Sequence, residues 1–145
     1  MFETVVVATD GSESVSRAVH CALDLASRFD ATVHALYVID ESHVESLPDR
    51  IHEEVREALD EQSHEALDAV VEANTARGDG VELETAVRAG PPSKEIIGYA
   101  DDVDADAVAM GTRGRHGEHS FLLGSVAERV VRTCSRPVLT VRQLE

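Results

Sequence analysis

Gly111-Thr-Arg-Gly114, nine further residues and then Gly124-Ser125 form the segment of this 145-residue chain best suited to do chemistry. Glycine is needed where the backbone takes a positive φ or approaches a ligand with no Cβ in the way. A helical apolar pattern starts at once at Ser125. A helix beginning there turns its unpaired N–H groups and positive dipole end toward whatever the glycines enclose. That geometry favours an anion, and a phosphate group in particular.

Other residues offer walls for such a site. Asp10 follows the apolar run Thr4 to Thr9 directly. It can cap the next helix locally, or accept hydrogen bonds from sugar hydroxyls as acids do near dinucleotides. Ser125-Val-Ala-Glu128 fits a capping box, in which the serine bonds a first-turn amide and the glutamate reaches back. His116 and His119 share a loop and are read as solvated, with a metal or phosphate as the alternative. Cys21 and Cys134 lack C-x-x-C spacing and are read as buried, inert thiols. No carboxylates pair for acid–base work, and no serine sits in a nucleophile elbow.

The elements that must position these residues follow from periodicity. Continuous apolar runs at Thr4 to Thr9, Ala31 to Ile39 and Ala105 to Met110 read as strands buried on both faces. Val81 to Val87 alternates and reads as another strand, and Pro137 to Val141 as the last. Between them lie helical patterns from Ser12, as cap, to Phe29, from Pro48 to about Arg77, from Gly90-Pro91-Pro92 to Ala100, and from Ser125 to Cys134. Ile51, Val55, Leu59, Ala66, Val70 and Ala73 form the apolar stripe of the long helix, and Asp40 to Leu47 reads as loop.

Strand–helix alternation without a repeat or linker predicts an α/β fold: one doubly wound, five-stranded parallel sheet with helices on both faces. The whole chain, 1–145, reads as a single domain. Ligands of such sheets bind beyond the carboxyl ends of the strands where the order reverses. If the first and fourth strands are neighbours, as in the order 3-2-1-4-5, the loops after Thr9, Ile39 and Met110 converge on one crevice.

Charge narrows the partners. Net charge is −15, with Lys94 the only lysine beside twelve arginines. Such an acidic surface argues against nucleic acid and anionic membranes as partners. It is also the composition of cytoplasmic proteins of salt-accumulating halophiles, where salt screens self-repulsion. Residues 40–80 carry a net −10, whereas residues 111–142 carry a net +4. An anion bound there would account for the positive end, and so would arginines scattered on a helix face. No apolar run approaches a membrane span, and Met1 to Glu3 are too short to open a signal peptide, so a cytoplasmic location is expected.

Several nucleotide folds are excluded. G-x-x-x-x-G-K-[ST] is absent, and G-x-G-x-x-G does not follow the first strand. A receiver domain would want an acid after the third strand and a lysine after the fourth, where Arg88 or Ala89 and Thr112 or Arg113 stand.

The spacing G-x2-G-x9-G-S at Gly111, Gly114, Gly124 and Ser125, with Val5-Val-Val-Ala-Thr-Asp10-Gly-Ser12, resembles the universal stress protein family. Gly124-Ser-Val-Ala-Glu-Arg-Val-Val131 and Ser135-Arg-Pro-Val-Leu-Thr-Val141 extend the resemblance over essentially the whole chain. It implies strand order 3-2-1-4-5 and a homodimer paired through the fifth strand, Val138 to Val141. It also implies the ATP-binding branch, since the branch lacking these glycines generally does not bind ATP. By the same resemblance, Asp10 would hold ribose, and Ala8, Thr9 and Val38 would line the adenine site with Met110 at its edge. Backbone around Gly111, Arg113, Gly114, Gly124, Ser125 and Val126 would wrap the phosphates, with Mg²⁺ held through the phosphates rather than by side chains.

The sequence departs from the family pattern inside the nine-residue loop. Many members carry a hydroxyl where His116 stands and an apolar residue where Glu118 stands. Glu118 would repel phosphate, while His116 could donate to it when protonated. The expected role is a cytoplasmic ATP- or AMP-binding stress-response protein that senses or buffers adenine nucleotide and acts through an unidentified protein partner. The alternatives are a slow metal-dependent ATPase and a nucleotide-free interaction protein.

Overall fold

The computed structural model describes residues 2–78, 80–113 and 123–144. Its strands are β1 (Thr4–Ala8), β2 (Thr32–Ile39), β3 (Leu83–Ala89), β4 (Ala107–Gly111) and β5 (Val138–Val141). Its α-helices are α1 (Glu13–Phe29), α2 (Glu41–Glu45), α3 (His52–Ala76), α4 (Pro92–Asp102) and α5 (Ser125–Thr133). The five strands are all parallel in the order β3-β2-β1-β4-β5, as expected.

Strand alternation divides the core in two. Val5, Val7, Val33, Ala35 and Ala109 face α1 and α3, where Ala22, Leu23, Leu67 and Val70 meet them. Val6, Leu36, Val108 and Met110 face the other way, toward Ile96 and Tyr99 of α4 and Ala127 and Val130 of α5. In the middle of β1 no side chain on either face reaches water, so this stretch must be apolar, and Val5, Val6 and Val7 are fully buried.

Four elements differ from expectation, the simplest being β4, which runs from Ala107 to Gly111 instead of from Ala105 to Met110. β3 is displaced two residues toward the C-terminus. The side-chain amide of Asn74 donates to the Val81 carbonyl (2.8 Å) and accepts from its N–H (2.9 Å), satisfying that backbone outside the sheet. At the other end the pairing with β2 continues to Ile39 and Ala89. The stretch Asp40 to Leu47 is not a plain loop, because it contains α2. Asp40 caps it by accepting from the Ser42 N–H (3.1 Å) and hydroxyl (2.6 Å), and Val44 is fully buried. A single apolar residue has no periodicity to read. Finally, Pro48 is followed by a 3-10 turn at Asp49–Ile51, and α3 starts only at His52. Its buried side is Ser63, Ala66, Leu67 and Val70, with Ile51, Val55 and Leu59 half-buried. Ser63 is tolerated there because its hydroxyl donates to the Asp60 carbonyl at 2.6 Å. Among the described residues no helix is long and apolar enough to cross a membrane.

At the opposite end of the sheet from the strand carboxyl termini, Asp106 joins β4 to β1. Its carboxylate accepts from the N–H of Glu3 (2.8 Å) and Thr4 (3.0 Å). These backbone bonds hold its pKa below the ordinary carboxylate value. A depressed folded-state pKa contributes stability above the unfolded value, near pH 4, and loses it as pH falls through the folded value. Asp106→Ala is therefore expected to cost about 1 kcal/mol at pH 7, discounted for solvent exposure. Thermal melts should show a drop of about 3 °C at neutral pH that closes as pH falls through the folded-state value. A gap independent of pH would assign the loss to something other than the carboxylate.

Candidate functional site

β1 and β4 are neighbours in mid-sheet, and the chain leaves them for opposite faces: from β1 to α1, and from β4 toward α5. This is the reversal point at which open α/β sheets form a ligand crevice.

On the β1 side, Asp10 is half-buried and organises the turn. Its Oδ1 accepts from the Ser12 N–H at 2.9 Å and from the Ser12 hydroxyl at 2.5 Å. Ser12 stands at the N-cap position of α1, yet its hydroxyl bonds Asp10 and caps no helix amide. The Ser12 Oγ also lies 2.7 Å from the Ser14 Oγ, which in turn contacts the Arg113 carbonyl at 3.4 Å. A row of hydroxyls thus runs from Asp10 across the crevice to the loop after β4. The sequence pattern gives Ser12 a helix-capping role and gives Ser14 none. The Asp-Gly-Ser turn at 10–12 was the available signal, since Asp side chains in turns bond the backbone two residues on.

On the β4 side the two described glycines are demanded by close backbone approach. A Cβ on Gly111 would lie 3.1 Å from the Ser14 carbonyl and 3.3 Å from that of Arg113. A Cβ on Gly124 would lie 3.2 Å from the Thr112 carbonyl. Thr112 ties the loop at both ends, donating to the Val141 carbonyl (3.2 Å) and accepting from the Gly124 N–H (2.7 Å). Gly124 is the N-cap of α5, with φ −65° and ψ 162°, and its carbonyl accepts from the Glu128 N–H at 2.9 Å. The expected capping box does not form: Ser125 is the first helical residue, no side chain caps, and the Glu128 carboxylate pairs with Arg132. The first-turn amides therefore keep their direction into the crevice without a side-chain cap. Ser125 is exposed; Arg113, Gly124 and Val126 are half-buried. Gly114, His116, Glu118 and His119 lie outside the described residues.

An apolar wall completes the crevice. Met110 is buried, and Ala8, Val38 and Val126 pack half-buried against the same core on the α4 and α5 side. Thr9 does not join them. Its N–H donates to the Leu36 carbonyl (2.9 Å), and its hydroxyl accepts from the Gly11 N–H (3.1 Å). Its side chain faces the other side, in a cleft of about 220 Å³ between α1 and α3 shared with Ser16, His20 and Ala66. The two cysteines are free thiols, half-buried rather than buried, and pack against opposite cores. Among the described residues no cluster of His, Cys, Asp or Glu could hold a metal ion.

The site therefore joins a carboxylate with an ordered turn, an apolar wall, and two glycines, Gly111 and Gly124, where a Cβ would crowd neighbouring carbonyls. Set beside known proteins, residues 1–142 match the model of the universal stress protein family. The chain is 39% identical over 144 residues to universal stress protein MJ0531 of Methanocaldococcus jannaschii, covering 99% of this chain and 84% of that one. Its fold superposes on universal stress protein UspA from Lactobacillus plantarum with a TM-score of 0.84, at 26% identity, covering 97% and 98% of the two chains. A universal stress protein crystallised in complex with cAMP is also similar, at 27% identity and a TM-score of 0.67 over 99% and 98% of the two chains.

Proposed function

Because this chain belongs to the universal stress protein family, we propose that it binds an adenine nucleotide, ATP or AMP, in the crevice between β1 and β4 and signals its occupancy to a protein partner. The observation that carries this reading is the convergence of Asp10, the wall of Ala8, Val38 and Met110, and the crowded backbone at Gly111 and Gly124. The adenine packs on the wall, alongside the backbone of Thr9. Asp10 accepts the ribose hydroxyls, because a carboxylate offers several lone pairs to paired donors. Phosphates lie against Gly111, Arg113, Gly114, Gly124, Ser125 and Val126, where the start of α5 supplies positive potential. Mg²⁺ would enter through the phosphates, neutralising their charge next to the β4 loop. The related protein crystallised with cAMP supports an adenine ligand.

Residues 1–145 act as one domain in this reading, and two copies pair through β5. Among the described residues that strand pairs with β4 on its inner side and exposes Leu139, so its outer edge offers a template for a second chain. The acidic, lysine-poor surface fits a cytoplasm of high salt, where self-repulsion is screened.

The test is calorimetric titration of ATP and AMP in molar KCl, with and without Mg²⁺, on protein first stripped of nucleotide. Saturable heat with one site per chain is expected, and absence of heat at millimolar ATP overturns the reading. Phosphate release in the same samples, dependent on Mg²⁺, would promote turnover over sensing. Sedimentation of that preparation as a monomer would remove the β5 pairing.

A further inference from the structure

We propose that Glu95 is a specificity-determining residue whose carboxylate accepts the 6-amino group of the adenine; the inference rests on the nucleotide reading above. Glu95 is half-buried in the first turn of α4. Its carboxylate lies over the end of β3, because a Cβ on Gly90 would stand 2.9 Å from Glu95 Oε2. Gly90, at φ 146°, leaves that space open. The Gly90 N–H donates to the Ile39 carbonyl at 2.9 Å, one step beyond the paired Val38 and Arg88. Val38 packs against the same core as Ile96, the residue after Glu95. The carboxylate thus sits at the carboxyl ends of β2 and β3, beside the strand that supplies Val38 to the apolar wall.

A half-buried carboxylate calls for donors. Among the described residues no N–H or O–H donates to the oxygens of Glu95, and no side chain caps α4. Arg88 feels its charge, but that guanidinium is committed to Asp102 at 2.8 Å and lies over the Tyr99 ring at 5.0 Å. A ribose held at Asp10, just after β1, sets the direction of the base. A purine running along Ala8 and Val38 then points its far edge across β2 toward β3. Two strand spacings, about 10 Å, separate the ends of β1 and β3, a gap that ribose and purine together span. The far edge of adenine carries the 6-amino group, whose two N–H donors match an acceptor-only carboxylate. The bond is charge-assisted and so stronger than a neutral one. It reads the base alone, since the phosphates lie on the other side of β1, at β4 and α5.

The measurement is a cycle of affinities for ATP and purine riboside triphosphate, which lacks only the 6-amino group, in the parent protein, Glu95→Ala and Glu95→Gln. In the parent, ATP is expected to bind about 10- to 100-fold tighter, the value of one charge-assisted hydrogen bond. Glu95→Ala is expected to bring that ratio to about one. Glu95→Gln keeps a carbonyl oxygen and should retain a ratio of about five, the value of one neutral hydrogen bond. Removing a negative charge eases both triphosphates alike, so the ratio is blind to it. A parent ratio of one, an unchanged ratio in Glu95→Ala, or equal weakening of both nucleotides would overturn the inference while leaving the nucleotide site intact. A parent protein that binds neither nucleotide would remove the site itself, and the role of Glu95 with it.

Discussion

Gly124→Val is expected to weaken ATP binding by at least 100-fold, with the sheet intact. A Cβ at this position meets the Thr112 carbonyl at 3.2 Å, so the carbonyl must yield by a few tenths of an ångström. The same Thr112 carbonyl accepts the Gly124 N–H at 2.7 Å, and that bond closes the loop onto the start of α5. The two γ-methyls of valine would further occupy the space before the first-turn amides, where a phosphate would approach. Loss of a small N-cap residue costs about 1 kcal/mol, equivalent to about 3 °C in melting temperature, far less than the effect on binding. Gly124→Ala separates the two contributions, because it carries the Cβ contact without the γ-methyls; its affinity should fall only about ten-fold. Calorimetry and thermal melts on both variants check the result. Parent-like affinity in the valine variant would place the phosphates away from α5.

Asp10→Asn is expected to weaken ATP binding by about 10- to 100-fold while leaving the turn in place. Asparagine keeps a carbonyl oxygen for the Ser12 N–H and hydroxyl, so the turn around Ser12 survives. It replaces the second carboxylate oxygen with a donor, and a ribose hydroxyl then loses a charge-assisted bond of roughly 1.5–3 kcal/mol. One effect runs the other way: removing a negative charge eases the phosphates. Across about 8 Å at an effective dielectric of ~40, that relief is about 1 kcal/mol for each phosphate charge left unneutralised, so with Mg²⁺ and the helix start offsetting all but about one of them the lost ribose bonds win. Tripolyphosphate, which has no ribose, reveals the sign directly, and its binding should be unchanged or slightly tighter. Weakening of both ligands alike would make Asp10 a general support of the loop rather than the ribose acceptor.

Much of the architecture was legible because it is written in local periods. Unbroken apolar runs such as Val5-Val-Val7 can only sit in strands covered on both faces, and the helices between them require a parallel sheet with right-handed crossovers. The strand ends and the glycine spacing located the crevice for the same reason. Misplaced elements were those decided by partners remote in sequence or by single side chains. Val81 looks like a strand residue, but Asn74 claims its backbone. Asp40 caps a helix too short to show a period, and Ser63 is buried in a stripe that hydrophobicity alone would give to its neighbours. Ser125-Val-Ala-Glu128 satisfies the capping-box pattern, yet Glu128 is drawn to Arg132 one turn on and Gly124 takes the cap.

By itself, the sequence determined the sheet, the family and the loops that surround the crevice, because strand period, helix period and glycine spacing are properties of neighbouring residues. Only the tertiary structure decided how the crevice is wired. Ser14 meets the carbonyl of Arg113 across 99 positions of chain, and Gly111 must lack a Cβ because the Ser14 carbonyl stands against it. Thr9 is turned to the α1 and α3 face while Ala8 stays with Met110. These contacts exist because the order β3-β2-β1-β4-β5 sets the ends of β1 and β4 side by side, and their energies depend on distances that no spacing within the chain encodes.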